Sequence, residues 1–332
     1  KSLYEKNTGY YMSKNPFGKK GDFITSPNIS ILFSEIIAIW IISFWKNLRE
    51  PKKINIIELG AGNGEMINII SRTFKKFPIL NNVCKIYILE KSPYLIKIQK
   101  QKINFKKIFW IKNLNKIKDG PNIFLANEFF DALPIKQFKR KKNSILEKNY
   151  MLDKNNEIIE IFNKASKNDI KILKSFKTLK KLNFIELPKF GFQELKKMIE
   201  KVSKLKGCIL IIDYGYLKPL NKNTLQSVIK HEKNYLFKNL GKADISAHVN
   251  FSLLREFFSN NGLKIKKIVT QKQFLENMGI LERAEILAKK MKFSDQTDLY
   301  TRLKRLLSPN SMGDLFKAIL AYKSNKSKFL GF

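Results

Sequence analysis

The sequence holds little of what metal and thiol chemistry uses. Its 332 residues include two cysteines, Cys84 and Cys208, and two histidines, His231 and His248. Each cysteine lies in its own apolar, strand-like run. No metal-ligand spacing exists, so no metal is expected, and both thiols read as small core residues of a reducing compartment. Arginine is scarce as well: seven of the 64 basic residues, set against 28 acidic ones, for a net charge of +36. Such a charge suits a polyanion or an anionic membrane. The lysines, however, are spread along the chain and form no basic block. Abundant Lys, Ile and Asn is also what an A+T-rich coding sequence produces without selection for binding, so nucleic acid is not an expected partner. Long apolar runs are missing too. The longest, "ISILFSEIIAIWIISFW" at 29–45, is marginal for a membrane span and carries Glu35 near its middle. Its helical spacing predicts a buried helix. The chain starts at Lys1 and not at Met, which leaves a preceding targeting segment open.

What is present describes a globular chain, 44% hydrophobic and 12% aromatic, long enough for one large domain or a domain with an insertion. After residue 50 strands and helices alternate: strands at 53–60, 84–90, 106–111, 121–129 and 207–216, helices at 65–76, 93–103 and 192–205. That rhythm predicts an α/β, Rossmann-like, mostly parallel sheet with helices on both faces. Residues 1–50 read as an N-terminal helical cap. The charged, hairpin-like stretch 136–189 reads as an inserted subdomain, leaving 51–135 and 190–332 as the main domain. Residues 217–248 read as a polar loop and 250–262 as a helix capped by Asn250 and stopped by Gly262. A half-buried strand is expected at 263–270 and a last edge strand at 315–323.

In "IIELGAGNGEM" (56–66) a buried strand runs into a glycine turn and then a helix, an arrangement that lets backbone N–H groups approach a ligand. Gly60, Gly62 and Gly64 give G-x-G-x-G, with Glu at position 65. The third glycine of the dinucleotide fingerprint is therefore absent, and no G-K-[ST] of a P-loop follows. Glu58, two residues before the turn, is awkward beside a pyrophosphate but suits a positive amino group. Glu90 ends the second strand, placed to accept ribose hydroxyls. A nucleoside that carries an amino acid satisfies both, which points to S-adenosyl-L-methionine. A structural strand–helix turn is the plainer reading of the glycines alone.

Methyl transfer needs in-line approach of a nucleophile, so catalysis there is largely positioning. "ANEFFDALP" (126–134) follows the fourth strand. It carries neither the D/N-P-P-Y/F turn of DNA amino-methyltransferases nor the Pro-Cys of cytosine C5 enzymes. It does carry Glu128 and Asp131, which would hold a guanidinium in a bidentate grip. The alternative is a helix-capping Asp131 and a solvated Glu128. His248, close in sequence to Asp244, is a candidate site residue or an ordinary loop histidine.

The chain resembles the MidA family of class I methyltransferases along nearly its whole length. The resemblance is carried by "GYYMSKNPFGKKGDFITSPNISILFSE" (9–35), "IIELGAGNGEM", "YILEKSP", "ANEFFDALPIKQF", "LIIDYGY", "TLQSVIKHE", "ADISAHVNF" and "SPNSMGDLFKAI", in that order. It implies a class I fold, an S-adenosyl-L-methionine cofactor at Gly60, Gly62, Gly64, Glu90, Asn127 and Glu128, and Thr25, Ser26 and Pro27 over the cleft. It further implies methylation of a protein arginine, in a hydrophilic-arm subunit of respiratory complex I, in the mitochondrial matrix or a bacterial cytoplasm. The chain departs from the family pattern at Ala61 and Asn63, where Pro and Arg are common, at Lys230, where Gly stands, and at Asn250, where Asp stands. A binding or assembly factor built on the same scaffold and a small-molecule O- or N-methyltransferase are the rival expectations.

Overall fold

The computed structural model of the chain describes every residue except 1, 15, 19, 20, 23, 143 and 326. Among the described residues the central sheet has nine strands, seven of them on its main path: β1 (Ile54–Leu59), β2 (Cys84–Leu89), β3 (Ile108–Ile111), β4 (Asn122–Asn127), β5 (Gly207–Tyr216), β6 (Lys264–Ile265) and β7 (Phe316–Lys323). Their order is β3-β2-β1-β4-β5-β7-β6, with two-residue strands at Val249–Asn250 and Val269–Thr270 pairing β5 and β7. β1 to β5 are parallel; β7 runs antiparallel to β5 from the 316↔214 pair to 323↔207. Every residue of β1 is buried, as a parallel strand covered on both faces requires. The strand order reverses between β1 and β4, so a crevice opens at the carboxyl ends of β1, β2, β4 and β5.

Helices close both faces. α1 (Ile31–Asn47) is apolar almost all round and mostly buried, the mark of a helix inside a fold. Glu35, the charge in that run, accepts a two-pronged ion pair from Arg283, Nε at 2.9 Å and Nη2 at 3.1 Å. The neighbouring helix Ile280–Ala288 thus provides the partner that a buried-facing charge needs. Among the described residues no helix is long and apolar enough to cross a membrane. α2 (Glu65–Phe74), α3 (Pro93–Lys102), α4 (Lys189–Leu205) and α5 (Phe251–Asn260) complete the layers near the crevice. α4 buries Leu195, Met198, Ile199 and Val202, one face at helical spacing. Each such side chain contributes about 1.5–3 kcal/mol relative to exposure. Asn250 caps α5, its Oδ1 accepting from Leu253 N at 3.0 Å, and Cys84 and Cys208 are free and buried.

Three expectations need correcting. β7 is not an edge strand: it lies between β5 and β6, and its buried run "AILAY" follows from cover on both sides. The strand expected at 263–270 is broken into Lys264–Ile265 and Val269–Thr270, because each piece pairs a different part of β7. Residues 217–248 are not a plain loop. They contain a three-stranded antiparallel sheet in the order 232–234, 226–229, 244–246. Its hairpin turn is Lys230-His231, both left-handed at φ 50° and 66°. A two-residue hairpin turn favours that geometry, which a glycine at position 230 would adopt without strain. In the 136–189 stretch Lys136–Lys141, Ser144–Leu152 and Ile158–Lys164 form a meander, as a hairpin-rich reading predicts. Phe184–Leu187 returns to pair with 136–139 as a fourth strand.

Candidate functional site

The glycine turn sits at the carboxyl end of β1. Gly60, Gly62 and Gly64 all have positive φ, 62°, 52° and 80°, so the turn is wound in a conformation that side chains disfavour. Gly60 has a second constraint: a Cβ there would lie 2.8 Å from the Phe129 ring. The carbonyl of Gly62 accepts from the Gln99 amide at 2.8 Å. Asn63 donates to Asn28 Oδ1 at 2.7 Å, tying the turn to the helical turn Ser26–Ile29, and Asn28 in turn donates to Thr25 Oγ1 at 2.7 Å.

Three neighbouring cavities near this point share lining residues. The first, about 40 Å³, is lined by Thr25, Pro27, Glu58, Gly60, Ala61 and Asn127, with Glu128 on its wall. A second, about 290 Å³, runs past Gly60, Gly62 and Glu90 to Leu95, Phe129 and Phe190. A third, about 390 Å³, holds Glu128, Asp131, Asp244, Tyr11, Tyr214 and His248. Glu128 belongs to all three.

Around these cavities the acids are unusually placed for a chain of charge +36. Glu58 is 4% exposed, and burial, with repulsion from Glu90, pushes its pKa up to about 8. Its Oε2 and the Oδ1 of Asn127 are buried and meet no donor among the described residues. Two orphaned acceptors beside a glycine turn suit an ammonium group, since an unmet buried acceptor costs about 1–3 kcal/mol. Glu90 is raised as well, by burial; its Oε1 accepts from the N–H groups of Lys91 and Ser92 at 2.8 and 2.9 Å. Its Oε2 has only a long 3.3 Å bond from Gln99, so this carboxyl, which lines the second cavity, keeps acceptor capacity.

Glu128 is half-buried and strained. Its φ is 50°, a strained position for a non-glycine residue, and its Oε1 accepts from Ser26 N at 2.9 Å and Asn127 Nδ2 at 3.1 Å. Burial raises it to about 7. Asp131 caps no helix. Burial and repulsion from Asp213, Asp244 and Glu128 hold it well above the usual carboxylate range, and its Oδ1 is a third orphaned acceptor. His248 stacks edge-on against Tyr214 at 5.2 Å; burial and Lys222 lower its pKa, so it is neutral at pH 7.

The structure thus brings together Glu58, Gly60, Ala61, Gly62, Asn127, Glu128, Thr25 and Pro27, puts Glu90 on the adjoining wall, and groups Asp131 and His248 in the third cavity, whereas Gly64 lines none of the three. Ser26 enters through its backbone N–H. Three residues escaped the sequence reading. Asp213, fully buried, receives the N–H groups of Phe129, Phe130 and Asp131 on one oxygen at 3.2, 2.9 and 3.3 Å, and so shapes the "NEFFD" turn. Burial and Glu128 raise it to about 7. Its signal was there, an acid near the end of a buried strand, as with Glu58 and Glu90. Asp244, raised to about 6 by burial, accepts from the Tyr11 hydroxyl at 2.8 Å; it lay in a stretch read as loop. Gln99 carries no sequence signal. Among the described residues no cluster of His, Cys, Asp and Glu would hold a metal ion.

Residues 36–269 match a family described as "Putative S-adenosyl-L-methionine-dependent methyltransferase". The chain is 28% identical to the mitochondrial protein arginine methyltransferase NDUFAF7 of Xenopus laevis, over 93% of this chain and 76% of that protein. To the Homo sapiens protein of that name it is 27% identical, over 93% and 75%. In fold it resembles a protein from Burkholderia thailandensis crystallised with S-adenosyl-homocysteine, with a TM-score of 0.82 at 20% identity, covering all of this chain and 88% of that one.

Proposed function

Since the chain belongs to this family of S-adenosyl-L-methionine-dependent methyltransferases, we propose that it methylates an arginine side chain of a protein. The observation that carries the proposal is the third cavity. It adjoins the cofactor turn through Glu128 and places Asp131 and Asp244 beside the rings of Tyr11 and Tyr214. A guanidinium is a planar cation with five donors, suited to carboxylates at its edge and aromatic rings at its face. The relatives named above are protein arginine methyltransferases, which supports the same reading.

Glu58 and Asn127 would hold the amino group of the cofactor, the glycine turn its methionine portion, and Glu90 its ribose. When bound, the cofactor supplies an electrophilic methyl group. The chain's own task is then to bring a guanidinium nitrogen in line and keep water away. Glu128, shared by both sides, orients the guanidinium. Arrival of that cation stabilises the ionised form of Glu128 and lowers its pKa from about 7. The carboxylates also provide acceptors for the proton that a nitrogen sheds on alkylation. Asp131 acts beside Glu128, and neutral His248 lines the approach. Residues 1–50 act as a cap whose Thr25, Ser26 and Pro27 close over the cleft. Residues 136–189 act as the substrate-side subdomain: Tyr150 of its meander meets Phe237, in the turn between the 232–234 and 244–246 strands, with ring centroids 4.6 Å apart. By family resemblance the target is a hydrophilic-arm subunit of respiratory complex I, in a matrix or bacterial cytoplasm.

The test is labelled methyl transfer into a lysate of the source cell, separated into protein precipitate and filtrate. The proposal expects the label in the precipitate. Label in the filtrate means a small-molecule methyltransferase, and no transfer by a protein that binds the cofactor means a binding factor on this scaffold.

A further inference from the structure

Gln99 is fully buried beneath the crevice, on a helix face with no place in the chemistry described so far. Its side chain has three partners. The amide nitrogen donates to the carbonyl of Gly62 at 2.8 Å and to Glu90 Oε2 at 3.3 Å. The amide oxygen accepts from the Trp110 indole N–H at 2.9 Å. An indole N–H only donates, so it fixes which way the amide lies: oxygen toward Trp110, nitrogen toward the two acceptors. A flipped amide would turn its oxygen toward a carbonyl and a carboxylate and leave the indole without an acceptor.

The two acceptors lie on the turn after β1 and at the end of β2, the places where the proposed function puts the methionine portion and the ribose. No other side-chain hydrogen bond among those described joins these two loops. We propose that Gln99, oriented by Trp110, is a positioning residue. It fixes the glycine turn and the Glu90 carboxylate relative to one another and so sets the affinity for the nucleoside part of the cofactor. This inference rests on the cofactor placement proposed above. Glu90 Oε1 is already held by Lys91 and Ser92, so Gln99 holds the other oxygen of a carboxylate that lines the second cavity. Loss of one buried, charge-assisted bond of this kind weakens binding about tenfold.

The variant Gln99→Met keeps the length of the side chain and removes its polar end. Titration calorimetry with S-adenosylhomocysteine and with its 2′,3′-dideoxy analogue, on the full chain, gives the readout. Wild type is expected to bind the ribose form more tightly. Gln99→Met should bind S-adenosylhomocysteine about tenfold more weakly and lose most of that ribose preference, with KM for the cofactor raised and kcat at saturating cofactor retained. General loosening would weaken both ligands alike and leave the preference intact, which would overturn the inference, as would unchanged affinities. Trp110→Phe removes the orienting donor and leaves Gln99 in place. A smaller loss in the same direction, about threefold, is expected, and no loss would overturn the role of Trp110; this variant also carries the test if Gln99→Met fails to fold. Wild type that binds neither ligand would instead refute the cofactor placement itself.

Discussion

Replacing Glu128 by Gln removes a charge and little else. The Gln Oε1 still accepts from Ser26 N, the bond that holds the 25–27 segment against the "NEFFD" turn at 2.9 Å, so stability should change by no more than about 1 kcal/mol. Burial also has less to oppose, because a neutral amide replaces a carboxyl raised to about 7. Activity should behave differently. With a pKa near 7, the free protein has Glu128 about one-tenth ionised at pH 6, about half at pH 7 and about nine-tenths at pH 8. The wild-type kcat/KM for the protein substrate should therefore rise roughly tenfold from pH 6 to pH 8 and level off. Removing a preorganised charge facing the reacting groups costs about 3–4 kcal/mol, or two to three orders of magnitude in rate. Glu128→Gln should accordingly lower kcat/KM by at least about a hundredfold at pH 8 and flatten this limb. Affinity for S-adenosylhomocysteine should stay within about threefold. Labelled methyl transfer across the pH series, with calorimetry alongside, measures both. A variant that transfers methyl within about threefold of wild type at pH 8, with the rising limb intact, would refute the reasoning about Glu128.

Lys230→Gly should stabilise the protein by about 0.5–1 kcal/mol in urea denaturation, because the φ of 50° at that position costs a lysine more than a glycine; the bond from its N–H to Asp22 at 2.8 Å is retained, and a destabilised variant would contradict the turn geometry. Asp213→Ala leaves the N–H groups of residues 129 to 131 without their acceptor, so a loss of about 3 kcal/mol is expected together with a fall in kcat, and an unchanged urea midpoint would contradict it. Glu58 is held at about 8 in the fold, above its unfolded value. Its contribution is thus fully present below about pH 4.5 and lost as pH rises through about 8. The ligand-free protein should weaken across that window, and Glu58→Gln should flatten the slope; a slope unchanged in the variant would show that other groups set it.

The parallel sheet was legible because β1, β2, β4 and β5 are continuous apolar runs bounded by turns, and because the helices between them keep an apolar stripe. The cofactor side of the crevice was legible for a related reason: Gly60, Glu58 and Glu90 mark strand ends, and strand ends are where such folds meet their ligands. What stayed hidden depends on pairing over long sequence distances. The strand Phe184–Leu187 is recognisable only through its partner 136–139, and β7 is an interior strand only because β6 covers it. The sheet at 226–246 consists of three- and four-residue strands, too short for a period to show. Asp244 was hidden with it, although the strand supplies one wall of the third cavity. Lys230 points to a more general limit. A residue that breaks a local rule reads as a departure in sequence, and only the φ of the turn shows what glycine at that position provides.

The most direct test of arginine methylation is to identify the amino acid that takes the methyl group. Protein labelled from S-adenosyl-L-methionine by the wild-type enzyme, then hydrolysed and analysed by mass spectrometry, should yield methylarginine, and the same reaction with Glu128→Gln should yield almost none. Label on lysine, glutamate or a protein terminus would contradict a cavity built for a guanidinium.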